Sequence, residues 1–348
     1  MTEYLFLADI KNQFEIYFTQ YFLLNIVKVV HKPKLITFMN KHLIIAITAG
    51  AFISISGCNK KDYNSAGTSY TSIVQAFNEI APQSKTVTLN AGTGGTFYGN
   101  SGTRYVFPAN VFRTKTGAMV TGDVQITVTE YKDKADMLFS GVLPISGGQP
   151  LISGGETNVV AKQNNTELAI QGTYQANMPM GTTHDPEMKV FSGHENGTNS
   201  GSPVPLGVTW LLNETTSAGT IVYNGDTTVI TSDSLEFCNA DHFMTSPNYQ
   251  SFTVTLSTQG NVSFDDDKVQ AFALYDQYNG VWQMYSIGNH VVNEYHVPDI
   301  PVHFVVVGLV NGQLYAGITG ATPATGSNYN VVMKPTTPSE LKAQIKAL

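Results

Sequence analysis

The chain has 348 residues and a formal net charge of −7, with only two cysteines. An acidic balance lacks the basic footprint that nucleic-acid binding needs, so a nucleic-acid partner is excluded, and two cysteines exclude a disulfide-stapled scaffold. The length suffices for one large or two ordinary domains, each with a core of its own.

Residues 1–38 hold an apolar patch, Tyr17 to Val30, interrupted by Thr19 and Gln20 and closed by Lys28, His31 and Lys32. Met39 stands where a signal of normal length would start, so 1–38 read as upstream sequence from a start codon chosen too early, or as an extended basic region. Residues 39–57 read as a signal peptide: Lys41 precedes an apolar run from Leu43, which small residues close. Spanning a bilayer takes about 20 apolar residues, and this run stops short. Its exit, Ile55-Ser56-Gly57-Cys58, resembles the lipobox of bacterial lipoproteins. The resemblance implies cleavage between Gly57 and Cys58, a diacylglyceryl group on the Cys58 thiol, and acylation of the new amino terminus. Two or more acyl chains anchor stably where one is released. Residues 58–348 then carry 14 Lys and Arg against 23 Asp and Glu. Cys238 is the sole thiol left, so no internal disulfide can form.

Residues 58–84 are expected to be a tether and a short helix capped by Ser69, with Ile73, Phe77 and Ile80 on one face and Pro82 ending it. From Lys85 the apolar period becomes two, Val87 and Leu89 alternating with threonines. "AGTGGTFYG", Ala91 to Gly99, has the glycines of a phosphate loop, but aromatic and β-branched residues follow it, which favours a turn. Short β-branched runs at intervals near ten residues predict a sandwich or barrel. "GTRYVFPANVF", "TGDVQITVTEYKDKADMLFSGV" and "PLISGGETNVVA" carry a further resemblance. They are similar to the amino-terminal β-domain of Bacteroidota lipoproteins, itself like the ZU-type β-sandwich of netrin receptors and ankyrins. The matching residues are the Pro108-Ala109-Asn110 turn with Phe112, the strand from Gly122 to Val124, the excursion Asp136 to Gly141, and the Ser153-to-Glu156 turn. The resemblance covers roughly 80–185 and implies a fold, not an activity.

A ZU-like sandwich is therefore expected over 85–185. A Gly-, Asn-, Ser- and Pro-rich linker or long loop is expected over 186–205, and a second β-rich domain over 206–348. Within the latter, Asn311-Gly312 is a strong hairpin signal. Thr337, Pro338 and Glu340 predict a capping box at the start of a terminal helix. "DSLEFCNADHF" resembles the second half of those lipoproteins, but Cys238-Asn239-Ala240-Asp241 departs from their usual Trp-x-Asn-Cys-Asp order.

Few residues point to chemistry. Asp265, Asp266 and Asp267 could offer oxygen ligands to calcium, yet the loop lacks the later Gly and Glu of an EF-hand, which favours a solvated turn. The histidines show neither HExxH nor alternate placement on a strand, so no metal site is predicted. Cys238 could act as a thiolate only beside a base such as His242; a half-buried small hydrophobe is favoured. No Gly-x-Ser-x-Gly elbow is present. The His-Phe-Ser turn at which some ZU-type domains cut themselves is also missing, which predicts an uncut chain. Tyr275, Tyr278, Trp282 and Tyr285 could share one exposed face that stacks on sugar rings or docks a protein, against the plainer reading of core packing.

Together these readings predict an all-β chain of two β-sandwich-like domains with short flanking helices, preceded by a lipoprotein signal peptide. The expected function is non-catalytic binding or scaffolding at the cell envelope, without a cofactor. The membrane is expected as a partner through lipid on Cys58, and a protein or glycan through the β-domains. Asn59 after the cysteine favours the outer membrane by analogy. The rival expectation is a glycan-binding accessory, or an enzyme with a site between the β-domains.

Overall fold

The computed structural model describes residues 68–179, 185–196, 207–213, 219–245 and 248–348. The leader, Gly57 and Cys58 lie outside them. Helix α1 (Ile73–Asn78) is capped by Ser72, whose hydroxyl accepts the Gln75 amide at 3.1 Å. The cap therefore lies three residues beyond Ser69, and the helix ends before Ala81. The chain just ahead of it is held elsewhere, since the Tyr70 amide donates to the Gly312 carbonyl at 2.8 Å.

The period-two pattern then delivers β1 (Lys85–Asn90), β2 (Gly95–Tyr98), β3 (Arg104–Phe107), β4 (Phe112–Thr114) and β5 (Asp123–Tyr131). The glycine-rich stretch 91–99 is a turn running into β2. Gly94 has φ +63°, and a Cβ there would stand 2.2 Å from the Phe107 carbonyl oxygen. A strand follows this loop, so no helix amino terminus is present to hold a phosphate. The excursion of the sequence reading is helix α2 (Lys134–Ser140), capped by Asp133 and closed by left-handed Gly141. Next come β6 (Ile145–Ser146), β7 (Gln149–Gln163), β8 (Thr166–Ile170) and β9 (Tyr174–Pro179).

Residues 186–205, read as linker from their composition, contain strand β10 (Lys189–Asn196), and β11 (Gly207–Leu212) follows. Pairing on both sides makes β10 a strand despite its Gly and polar residues. Gly193 is required by packing, because a Cβ there would meet Phe237 and Val208 at 2.7 Å and Trp210 at 2.8 Å. After β12 (Thr220–Asn224), β13 (Thr227–Ser232) and β14 (Glu236–Phe243), two sheets are complete. One has nine strands, six along the path β1-β5-β7-β14-β10-β11 with β4, β6 and β8 off it, and the other runs β12-β13-β9-β3-β2. Between them Tyr105, Phe107 and Tyr174 pack on Val124, Ile126 and Val159. Phe107 stacks on Tyr174 at 4.9 Å. Each such side chain contributes about 1.5–3 kcal/mol on burial.

The third sheet comprises β15 (Tyr249–Thr258), β16 (Val269–Tyr275), β17 (Val281–Met284), β18 (Ser286–Gly288), β19 (Val291–Pro298), β20 (Val302–Val310), β21 (Gln313–Ala321) and β22 (Asn328–Pro335). Its order is β17-β16-β20-β21-β22-β15-β19-β18. The two edge strands, β17 and β18, are separated in the chain by Tyr285 alone. One residue cannot bridge a flat eight-stranded sheet, where strands lie about 4.8 Å apart, so the sheet curls until its edges meet. The second β-region is thus a near-barrel filled by Phe252, Val254, Ala273, Phe304, Val306 and Met333. Asn311 and Gly312, both at positive φ, turn β20 into β21 as their dipeptide predicts.

Strand β20 is buried on both faces. Phe304 and Val306 point into the near-barrel, while Val305 and Val307 join Phe191, Trp210 and Phe237 of the first sheet system beneath the helices. The sheets therefore change over between Phe243 and Tyr249, not at 186–205, and they share a core within one compact unit, 66–348. Helix α3 (Pro338–Lys346), with the expected Thr337–Glu340 capping box, closes that core. Lys342 Nζ donates to the Ile80 carbonyl at 2.6 Å and pairs with Asp136 at 3.1 Å.

Candidate functional site

Strand β14 reads Glu-Phe-Cys-Asn-Ala-Asp-His-Phe, and its alternation sends neighbouring residues into different surroundings. Cys238 and Ala240 pack with Met178, Val190 and Ile230, whereas Phe237 joins the core beneath the helices. Asn239 and Asp241 share the parity of Phe237. Opposite them, Asn239 pairs with Glu156 and Asp241 with Ser153, so β7 carries one residue more than β14 between these pairs. The Ser153-to-Glu156 stretch, expected to be a turn, is a bulge within β7 with Gly155 at φ +113°. The bulge brings Ser153 and Glu156, three apart in sequence, towards the same β14 residues.

Glu156, Asn239 and Asp241 have no solvent exposure. The Asn239 amide nitrogen donates to Asp241 Oδ2 at 2.7 Å. That leaves Asn239 Oδ1, Asp241 Oδ1 and both Glu156 oxygens without a hydrogen bond. Burial pushes the Glu156 carboxyl well above the usual carboxylate range and the Asp241 charge adds to it, with the Asn239 side chain opposing. Burial likewise raises Asp241, against the Ser153 hydroxyl and the Gly154 amide. Two carboxylates sharing a dry site cannot both ionise cheaply, so the pair is held towards its protonated form. The bulge is tied to the near-barrel: the Ser153 amide donates to the Asn279 carbonyl at 2.8 Å, and Asn279 Nδ2 donates to the Lys132 carbonyl at 3.0 Å. This centre can hold a proton, but its inaccessibility keeps a substrate away.

His242, next in β14, lies 3.0 Å through Nε2 from Asp185 Oδ2 and 3.8 Å through Nδ1 from Glu187 Oε2. Sequence inspection missed this group because His242 lies 57 residues from Asp185 and 55 from Glu187, and they meet only through the pairing of β10 with β14. A cavity of about 400 Å³ opens beside Asn158, Glu167, His194, Glu236 and Phe237. At it His194 Nδ1 lies 3.2 Å from Glu236 Oε2. Glu236 sits at φ +84°, a backbone region that side-chain-bearing residues occupy only at a cost of about 1–3 kcal/mol.

The predicted site residues separate. Tyr275 is fully buried and Trp282 is 5% exposed, both inside the near-barrel, whereas Tyr278 and Tyr285 are 39% and 64% exposed. The four do not form one exposed stacking face, because β16 and β17 turn Tyr275 and Trp282 into the core. Asp266 Oδ1 lies 2.7 Å from His290 Nδ1, and Asp265 pairs with Lys268 at 3.1 Å. The acidic run Asp265–Asp267 thus opens a short 3-10 turn and braces its neighbours. Cys238 does not meet His242: the thiol is buried, which pushes it up to about 12, while His242 turns to Asp185. No protein-family model matches the chain, and no curated protein matches it either.

Proposed function

We propose that this chain is a lipoprotein of the cell envelope, anchored through acylated Cys58, whose β-body acts by binding or scaffolding and not by catalysis. The observation that carries this reading is the order of elements in 39–58: Lys41, an apolar run too short to span, then Gly57-Cys58. The ZU-like resemblance of roughly 80–185, within sheets that run on to Phe243, and an outer-membrane destination belong to the same reading, on resemblance and analogy. The placement of the reactive side chains supports the non-catalytic part. The Cys238 thiol, the Glu156–Asp241 pair and Trp282 are all buried, and Asp266 is engaged by His290. A β-body with a shared core and three packed helices suits a rigid module that presents surface loops. The glycan-binding rival loses support, since Tyr275 and Trp282 are packed inside the near-barrel.

The test is metabolic labelling with palmitate, together with mass spectrometry of the mature amino terminus. The expected result is a triacylated or diacylated Cys58 as the first residue, and release of the Cys58→Ala form from the membrane fraction. An unlabelled chain whose Cys58→Ala form fractionates like the native one overturns the reading.

A further inference from the structure

Asp185 and Glu187 lie just ahead of β10, and the pairing of Lys189 with Asp241 carries them alongside His242. Their donor atoms all lie within 4.8 Å of one another. Other polar atoms of the group are already engaged. Asp185 Oδ1 accepts the Glu187 amide at 2.9 Å, and the Tyr223 hydroxyl donates to the Asp185 carbonyl. His242 Nδ1 lies 3.0 Å from the Phe243 carbonyl. Only as an N–H can it sit there favourably, and a backbone carbonyl on one imidazole nitrogen is what orients the other as a metal ligand.

With the proton on Nδ1, the Nε2 lone pair faces Asp185 Oδ2 at 3.0 Å. A second ring proton or a metal ion can fill this contact, and the approach of Glu187 as a third donor is what suits a metal ion. A metal ion bonded at about 2.0–2.1 Å to each would set its donors about 2.8–3.4 Å apart, the lower end for octahedral and the upper for tetrahedral geometry. We propose that Asp185, Glu187 and His242 bind a divalent first-row transition-metal ion. One imidazole and two carboxylates suit zinc, manganese or cobalt, and the imidazole disfavours calcium. The Glu187 side chain is 71% exposed, so the ion enters from solvent and Glu187 closes on it, leaving at least one position for water. The metal would fasten the entry to β10 onto β14. The site is independent of the lipid anchor proposed above.

The test uses the full-length chain, purified without a polyhistidine tag, stripped with chelator and titrated with Zn²⁺ by calorimetry and thermal melting. One Zn²⁺ per chain and a rise in melting temperature on saturation are expected. His242→Gln and Asp185→Asn should each weaken binding at least about tenfold. Glu187→Gln, at an exposed side chain, should also weaken binding while leaving the metal-free melting temperature unchanged, which separates ligand loss from misfolding. Failure to bind Zn²⁺, Mn²⁺ or Co²⁺ stoichiometrically would show that His242 and Asp185 form only an ion pair and overturn the proposal. Native-like Zn²⁺ binding by the folded Glu187→Gln and His242→Gln forms would place the metal elsewhere and overturn it equally.

Discussion

Glu156 and Asn239 stand directly opposite each other across β7 and β14, and although both are fully buried, neither the Glu156 carboxylate nor Asn239 Oδ1 receives a hydrogen bond. The Asn239 amide nitrogen is taken by Asp241, so Glu156 gains no donor from the residue it faces.

This arrangement makes stability depend on pH. The Glu156 and Asp241 carboxyls are raised in the folded protein, first by burial, so between the unfolded and folded pKa values the native state binds more protons than the unfolded chain. Their contribution is therefore complete below the ordinary carboxylate range, about 4, and is lost as pH rises through the folded values. Urea unfolding at pH 5 and pH 8 should show this loss. Glu156→Gln should flatten it and raise stability at pH 8 by about 1–3 kcal/mol. An unchanged pH slope in the variant would refute the assignment.

Gly193→Ala places a methyl against Phe237, Val208 and Trp210, in a part of the core where the Trp210 Nε1–H bond to the Leu143 carbonyl, 2.9 Å, resists movement. A loss of about 1–3 kcal/mol is expected from overpacking, read as a lower denaturant midpoint. The same change at exposed Gly117 would meet no neighbouring atom, but its positive φ makes it a control for backbone strain alone.

Lys342 links three parts of the molecule, the end of α1, α2 and its own helix, through Ile80 and Asp136. The Lys342 and Asp136 side chains are 22% and 12% exposed, so the pair is screened less than a surface one. Lys342→Met should cost about 1–3 kcal/mol, much of it from leaving Asp136 with a weaker partner. Lys346, 2.8 Å from Asp133 and 3.8 Å from Asp136, would compensate in part. The Lys342→Met, Lys346→Met double variant should therefore lose more than the two single losses combined.

The Cys238 thiol, buried and raised to about 12, should resist alkylation at pH 8 in the native protein and react fully in denaturant. Peptide mapping after iodoacetamide treatment distinguishes it from Cys58. Rapid labelling under native conditions would contradict its packing between the sheets.

Local chemistry was legible in the residues themselves. The Asn311-Gly312 turn, the Thr337–Glu340 capping box and the alternation of β1 each depend on neighbours a few positions apart, and each is found where the pattern puts it. The predominantly β character follows from the same short-range periodicity, as does the turn at 91–99. Other features were settled by partners distant in the chain. β10 looks like a loop by composition and becomes a strand because β11 and β14 supply ladders on both sides. Tyr275 and Trp282 allow either core packing or an exposed stripe by sequence, and they are buried because a sheet whose edges are joined by one residue must curl around them. The Glu156–Asp241 pair and the Asp185–Glu187–His242 group arise from register, which fixes what faces what across strands, and no spacing along a single strand encodes it.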